Sequence, residues 1–156
     1  MLIPAALAGI ILLSPVPDAC SEYATSVLVD TNAHLMRLCL RGRAMRELRV
    51  AIGGGGVGKR REGDGKVPLG AYRLGRAQAS ASYTLFIPIG YPTEEQRKAG
   101  YTGSAVGVHG PPGNLEGPLA TSVDWTLGCI AVGTVQEIRD VAKWVSTHEV
   151  DRIVIK

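Results

Sequence analysis

The sequence predicts a mainly β fold, a single domain with a few short helices. Composition is the first reason. Twenty Gly and 9 Pro in 156 residues, with aromatics at only 5%, favour many turns between short strands over a helical bundle. Hydrophobic residues make up 46%, enough to bury a core in a chain of one-domain length. The second reason is a period-two alternation across residues 36–52. The third is that helix-start syntax is confined to two stretches, opening at Thr93 and Thr134.

Residues 2–13, LIPAALAGIILL, form an unbroken apolar run too short to span a bilayer. The run has the length of the hydrophobic region of a signal peptide, and small residues such as Ala19 follow it. No Lys or Arg precedes it, and no clean cleavage motif closes it. Residues 1–20 are expected to be a signal peptide, with the folded domain at 21–156.

From Val27 to Ile52 the pattern is a hairpin. Met36, Leu38 and Leu40 alternate with Arg37, Cys39 and Arg41. Beyond a turn at Gly42, Leu48, Val50 and Ile52 alternate with Glu47, Arg49 and Ala51. One face is expected to be buried and the other wet. Cys39 shares the face of Arg37, Arg41 and Arg49, so it reads as a half-exposed strand residue rather than a paired or catalytic one.

Residues 53–60, GGGGVGKR, come within one residue of a phosphate-binding loop. Gly53, Gly58 and Lys59 fall in register, but Arg60 stands where a Ser or Thr should ligate Mg²⁺. A phosphate loop must run straight into a helix whose N-terminal N–H groups hold the phosphates. Here Gly63, Gly65, Pro68 and Gly70 break any helix. The stretch is read as the exit of a strand, with no nucleotide, and Asp64 as a turn residue.

Short strands follow at AYRLG and TLFIPIG, within 71–90. Thr93 caps a short helix whose first turn is Glu94, Glu95 and Gln96. SAVGVHG, residues 104–110, is a small apolar strand ending on a histidine. Residues 111–125 hold too much Gly and Pro for a helix and form a long loop, a place where function often resides. LGCIAV is a short apolar strand or turn. Thr134 and Glu137 then make a capping box, and Ile138, Val141, Ala142 and Val145 mark one helix face. RIVIK closes the chain as a strand.

The formal charge of +3 falls short of a nucleic-acid footprint. The three histidines, His34, His109 and His148, and the cysteines Cys20, Cys39 and Cys129 show no metal spacing, so neither metal nor cofactor is expected. His34 sits in a turn without a visible partner, and His148 faces the negative end of the last helix.

Two stretches carry chemistry: GVHG at 107–110 and DWTLGCIAV at 124–132. A cysteine preceded by Gly on a tight turn, with a histidine upstream, suits nucleophilic catalysis, because a thiol needs an imidazole or N–H dipoles to react at neutral pH. Gly128 allows close approach of substrate, and the N–H groups of Leu127, Gly128 and Cys129 could meet an oxyanion. By residue type alone, Cys129 could equally be a core residue.

The spacing of the two stretches resembles the L,D-transpeptidase catalytic domain, the YkuD-type family of bacterial cell-wall enzymes. That signature is a His-Gly strand end, then about fourteen to seventeen residues, then [ST]-x-G-C and an apolar residue. Here sixteen residues, 110–125, separate His109 from Thr126-Leu127-Gly128-Cys129-Ile130. VLVDTNAHLMRLCL is similar to the family's first hairpin. EGDGKVPLGAYRL is similar to its G-D-x-x-T-P-x-G-x-[YF] segment, with Val67 in the Thr position. IGYPTEEQRKAG is similar to its N-Y-P-N stretch. The resemblance implies a β-sandwich-like fold, with Cys129 as nucleophile and His109 as general base and acid. It also implies that the Gly110 carbonyl orients the histidine, that Leu127 and Gly128 help hold the oxyanion, that Thr126 braces the turn and that Trp125 lines the cleft.

The implied substrates are peptidoglycan stem peptides, cut between meso-diaminopimelate and D-Ala through a thioacyl-enzyme. The implied location is the periplasm or envelope of a bacterium. Leu127 stands where many members carry His, and Ala131 where many carry Arg or Asn, so Arg73, Arg76 or Asp124 are expected to position the substrate. The W-T-x-G-C-I-A form is similar to a branch that includes hydrolases releasing wall-anchored protein, a lipoprotein among the possible partners. Transpeptidase, cysteine hydrolase and a non-enzymatic wall-binding domain therefore stay open, the last disfavoured by the intact His109 and Cys129.

Overall fold

A computed structural model describes residues 18–156. Of the expected leader, residues 1–20, the first seventeen lie outside the described residues. Among the described residues nine strands form: β1 (Ser26–Asp30), β2 (Leu35–Leu40), β3 (Arg43–Ala51), β4 (Gly70–Arg73), β5 (Gln78–Ser80), β6 (Thr84–Pro88), β7 (Gly107–His109), β8 (Ile130–Val132) and β9 (Arg152–Ile155). Two helices, α1 (Glu94–Lys98) and α2 (Val135–Thr147), complete them, with a 3-10 turn at Pro118–Thr121 in the long loop.

All nine strands belong to one sheet in the order β4-β9-β1-β2-β3-β8-β7-β6-β5. The pairs β1/β9 and β7/β8 are parallel, and the rest are antiparallel. The sheet curls until its ends meet. Leu74, after β4, bridges Ile89, after β6, while the Gly75 N–H donates to Pro88 O at 2.7 Å and the Gly90 N–H to Arg73 O at 2.9 Å. The mainly β, sandwich-like expectation holds, built from one sheet folded on itself. The main core lies inside the curl and draws on both halves, with Val27, Met36, Leu38, Ile87, Val108 and Ile153 at 2% exposure or less. Each such side chain contributes about 1.5–3 kcal/mol by leaving water.

Helix α2 starts where the sequence places it. Thr134 Oγ1 accepts from the Glu137 N–H at 3.0 Å, and Glu137 Oε2 accepts from the Thr134 N–H at 2.9 Å. Its buried residues are Ile138, Val141 and Val145, one face at helical spacing. Helix α1 has the same box, Thr93 with Gln96.

The face of β2 that alternation assigns to water is covered. Cys39 is fully buried and forms a disulfide with Cys20, correcting the reading of a half-exposed, unpaired residue. Cys20, Leu28 and Cys39 make a second small core, with Tyr23 and Val154 packed on it. The Asp18 carboxylate accepts from the Ala44 N–H and so pins the same segment. Period two reports which residues share a face, but not whether another stretch of chain lies over it. The expected boundary after residue 20 falls inside this staple. Reduction, or Cys39→Ala, is expected to cost about 3 kcal/mol for a bridge spanning a separation of 19 residues. Thermal melts with and without reductant should differ by roughly 10 °C.

The glycine run of 53–58 has a packing explanation. A Cβ on Gly53 would collide with Gly65 O, and one on Gly55 with Asp64 O, because the two backbones run in contact. No helix follows. Val57 instead bridges Val67 and Gly53 bridges Thr126, carrying the loop to the chemistry-bearing stretch.

Candidate active site

The parallel pair β7/β8 sets the site. Val108 lies opposite Ile130 and His109 opposite Ala131. Side chains alternate along a strand, so Cys129, two residues before Ala131, shares a face with His109. Both line one cleft of about 420 Å³, together with Tyr83, Phe86, Trp125 and Leu127.

His109 is 2% exposed, and its Nδ1 lies 2.7 Å from Gly110 O. A carbonyl only accepts, so Nδ1 carries the proton and Nε2 is left as the basic nitrogen. Tyr83 stacks on the ring at 4.0 Å between centroids, and Trp125 meets it edge-on at 5.7 Å. Gly110 can be nothing larger: a Cβ there would stand 2.7 Å from Tyr83 O and 2.9 Å from Ile138 Cγ2. Burial pushes the imidazole below its ordinary value of 6.5, against the pull of the Gly110 carbonyl.

The turn that carries Cys129 is held by Thr126. Its hydroxyl donates to Cys129 O at 2.7 Å and accepts from the Gly128 N–H at 3.2 Å. That second bond removes the Gly128 N–H from the expected oxyanion set, a correction that leaves Leu127 and Cys129. Gly128 has φ +128, and a Cβ there would stand 2.5 Å from Lys66 O. Gly128→Ala is therefore expected to displace the turn, costing about 1–3 kcal/mol of stability and far more of the activity, as a melt beside a turnover assay would show. Leu127 at the tip is 86% exposed, and Trp125 Nε1 anchors the approach by donating to Ala120 O at 2.9 Å.

Cys129 is the one free cysteine among the described residues. Its thiol lies 3.6 Å from Ala105 O, a donor contact at sulfur range. Burial pushes the thiol above its ordinary value of 9.0, while the Gly107 N–H and the Lys59 charge pull it down. The two directions, His109 lowered and Cys129 raised, both favour the uncharged forms of the pair.

Two pairings near the site escaped the sequence reading. His34 has a partner: its Nε2 lies 2.9 Å from Asp124 Oδ2, and Asp124 Oδ1 accepts from the Ile52 N–H at 2.9 Å. Asp124 thus ties the β1–β2 turn and the end of β3 to the stretch carrying Cys129. Asp64 accepts from the N–H groups of Arg60, Arg61 and Lys66 and from Lys59 Nζ, which holds its carboxyl far below the usual range. Lys59 itself is 5% exposed. No spacing rule joins these residues, because loop packing brings them together. Arg73 and Arg76 line a separate cavity of about 800 Å³ beside the end of α2, away from the cleft. Among the described residues, no cluster of three or more His, Cys, Asp or Glu is placed to hold a metal ion.

A family model described as the L,D-transpeptidase catalytic domain matches residues 24–155. Among solved structures, the helical cell shape determining protein Pgp2 of Campylobacter jejuni is similar at 25% identity and TM-score 0.70, over 83% of this chain and 46% of that one. The Bd1075 protein of Bdellovibrio bacteriovorus is similar at 18% identity and TM-score 0.63, over 89% of this chain and 50% of that one. An L,D-transpeptidase from Mycobacterium smegmatis aligns at 13% identity and TM-score 0.51, over 83% of this chain and 57% of that one. The chain thus spans about half the length of these structures. No curated protein matches it.

Proposed function

The chain belongs to the family of L,D-transpeptidase catalytic domains, and from that premise we propose that it transfers acyl groups of peptidoglycan stem peptides through a thioester on Cys129. The observation that carries this reading is the placement of His109, at the end of β7, and Cys129, just before the parallel β8, lining one cleft. Nε2 of His109 takes the thiol proton as sulfur attacks the carbonyl between diaminopimelate and D-Ala. The oxyanion meets the N–H groups of Leu127 and Cys129. His109 returns the proton to the leaving D-Ala amine, and the C–N bond breaks. An acceptor amine then attacks the thioester, its proton passes to His109, and the thiol is restored.

Water is the acceptor in the second reading, which releases D-Ala, or wall-anchored lipoprotein, without a new bond. The W-T-L-G-C-I-A stretch, similar to a branch that includes hydrolases, is what supports this reading. The site of action proposed is outside the cytoplasm, in the periplasm or cell envelope. The Cys20–Cys39 disulfide supports this, because such bonds persist in oxidising compartments.

The deciding experiment is mass spectrometry of tetrapeptide muropeptides, and of wall carrying attached protein, after incubation with the protein and with its Cys129→Ala variant. Crosslinked dimers or D-amino-acid exchange, absent from the variant, are expected. Release without a new bond transfers the assignment to the hydrolase. Identical spectra for both proteins overturn catalysis and leave wall binding.

A further inference from the structure

The Walker-like stretch GGGGVGKR binds no helix end, yet its lysine is 5% exposed, a burial that demands a reason. Lys59 Nζ donates to Asp64 Oδ1 at 2.9 Å and to Arg61 O at 3.1 Å. An ammonium has three donors, so one remains. The same nitrogen stands 3.5 Å from where a Cβ of Gly128 would be, and the Lys59 Cε stands 3.2 Å from that of Gly103. The side chain therefore runs beneath the nucleophile turn between two glycines, and its charge ends at the residue preceding Cys129.

We infer that Lys59, held in place by Asp64, is an electrostatic positioning residue that stabilises the developing Cys129 thiolate from beneath the Gly128 turn. The inference rests on the reading of Cys129 as nucleophile. A neutral thiol must give up its proton during attack, and a fixed buried cation lowers the energy of the resulting sulfur anion. Asp64 supplies the fixation. Four donors converge on its carboxylate, so the ammonium is aimed by a rigid anchor and not by a flexible one. The effect on the thiol, which the Lys59 charge pulls down against burial, has the same sign. The other ionisable groups around these two residues are His109 and Tyr83 in the cleft, Arg60, Arg61, Glu62 and Lys66 on the same loop, and Tyr91, which is itself raised by burial and by the Asp64 carboxylate. Arg60, Arg61 and Glu62 are exposed and Lys66 is half-buried, so Lys59 is the buried cation among them.

The test is the pH dependence of Cys129 alkylation by iodoacetamide, which needs no substrate. Cys129 is the one free thiol among the described residues, so the signal has a single origin. Lys59→Met is expected to raise the midpoint by roughly 0.5–1 pH unit and slow alkylation near neutrality about three- to tenfold, with Lys59→Arg restoring most of the loss. Lys59→Gln, which keeps a hydrogen bond to Asp64 without the charge, should behave as Lys59→Met does and serves if that variant folds poorly. Loosening of the fold would expose the thiol and move the midpoint down, the opposite sign. A midpoint unchanged or lowered in folded Lys59→Gln overturns the inference and reduces Lys59 to a structural brace. Turnover by Cys129→Ala tests the nucleophile separately, so failure of either reading is recognisable by itself.

Discussion

Cys129→Ala is expected to abolish turnover of stem peptides, a fall of about ten-thousandfold or more, because the covalent intermediate has no other nucleophile. Its thermal stability should barely move. The thiol is partly exposed, and the hydrogen bonds that hold its turn come from Thr126 and from backbone atoms that Ala retains. Loss of the adduct with an electrophilic probe, seen by intact-protein mass spectrometry, should accompany loss of turnover. Substantial residual turnover in a clean preparation would show that the cleft works by another route.

His109→Gln is expected to lower kcat by about a hundred- to ten-thousandfold, the range general acid–base catalysis supplies. Glutamine can still donate to Gly110 O but cannot accept and return the thiol proton. In the wild type, the neutral imidazole is the active form. Since burial holds the folded pKa below 6.5, the acid limb of kcat/KM should lie below 6.5 and not above it. The sign for stability is the same. The lowered folded pKa contributes stability above the unfolded value, and this is lost as pH falls through the folded one. His109→Gln should remove both the acid limb and that part of the acid sensitivity. A profile of kcat/KM with an acid midpoint above 7 would contradict the buried, neutral histidine described above.

Much of this was legible in residue order. The arms of the β2–β3 hairpin, the strand ending at His109 and the capping boxes at Thr93 and Thr134 are local signals. Each depends on side-chain alternation or on a cap within a few residues, so it survives without knowledge of neighbours. The distance along the chain from His109 to the T-L-G-C turn pointed to a shared site only through its resemblance to a family signature. The curl of the sheet was legible only through resemblance to a family.

Other features depend on which segment lies over which. The face of β2 carrying Cys39 alternates like a wet face, yet residues 20–23 cover it and the thiol finds Cys20 nineteen residues away. His34 and Asp124 are ninety residues apart and meet because the β1–β2 turn folds against the start of the D-W-T-L-G-C stretch. Lys59 matched a nucleotide motif in composition, yet it lies buried between Asp64 and the Gly128 turn, and the glycines of that stretch let two backbones touch. Alternation, caps and spacing are properties of one segment and its immediate neighbours, and residue order determines them. Burial of a charge, pairing of a cysteine and the field at a reacting sulfur are properties of contacts between distant segments, and only the folded chain decides them.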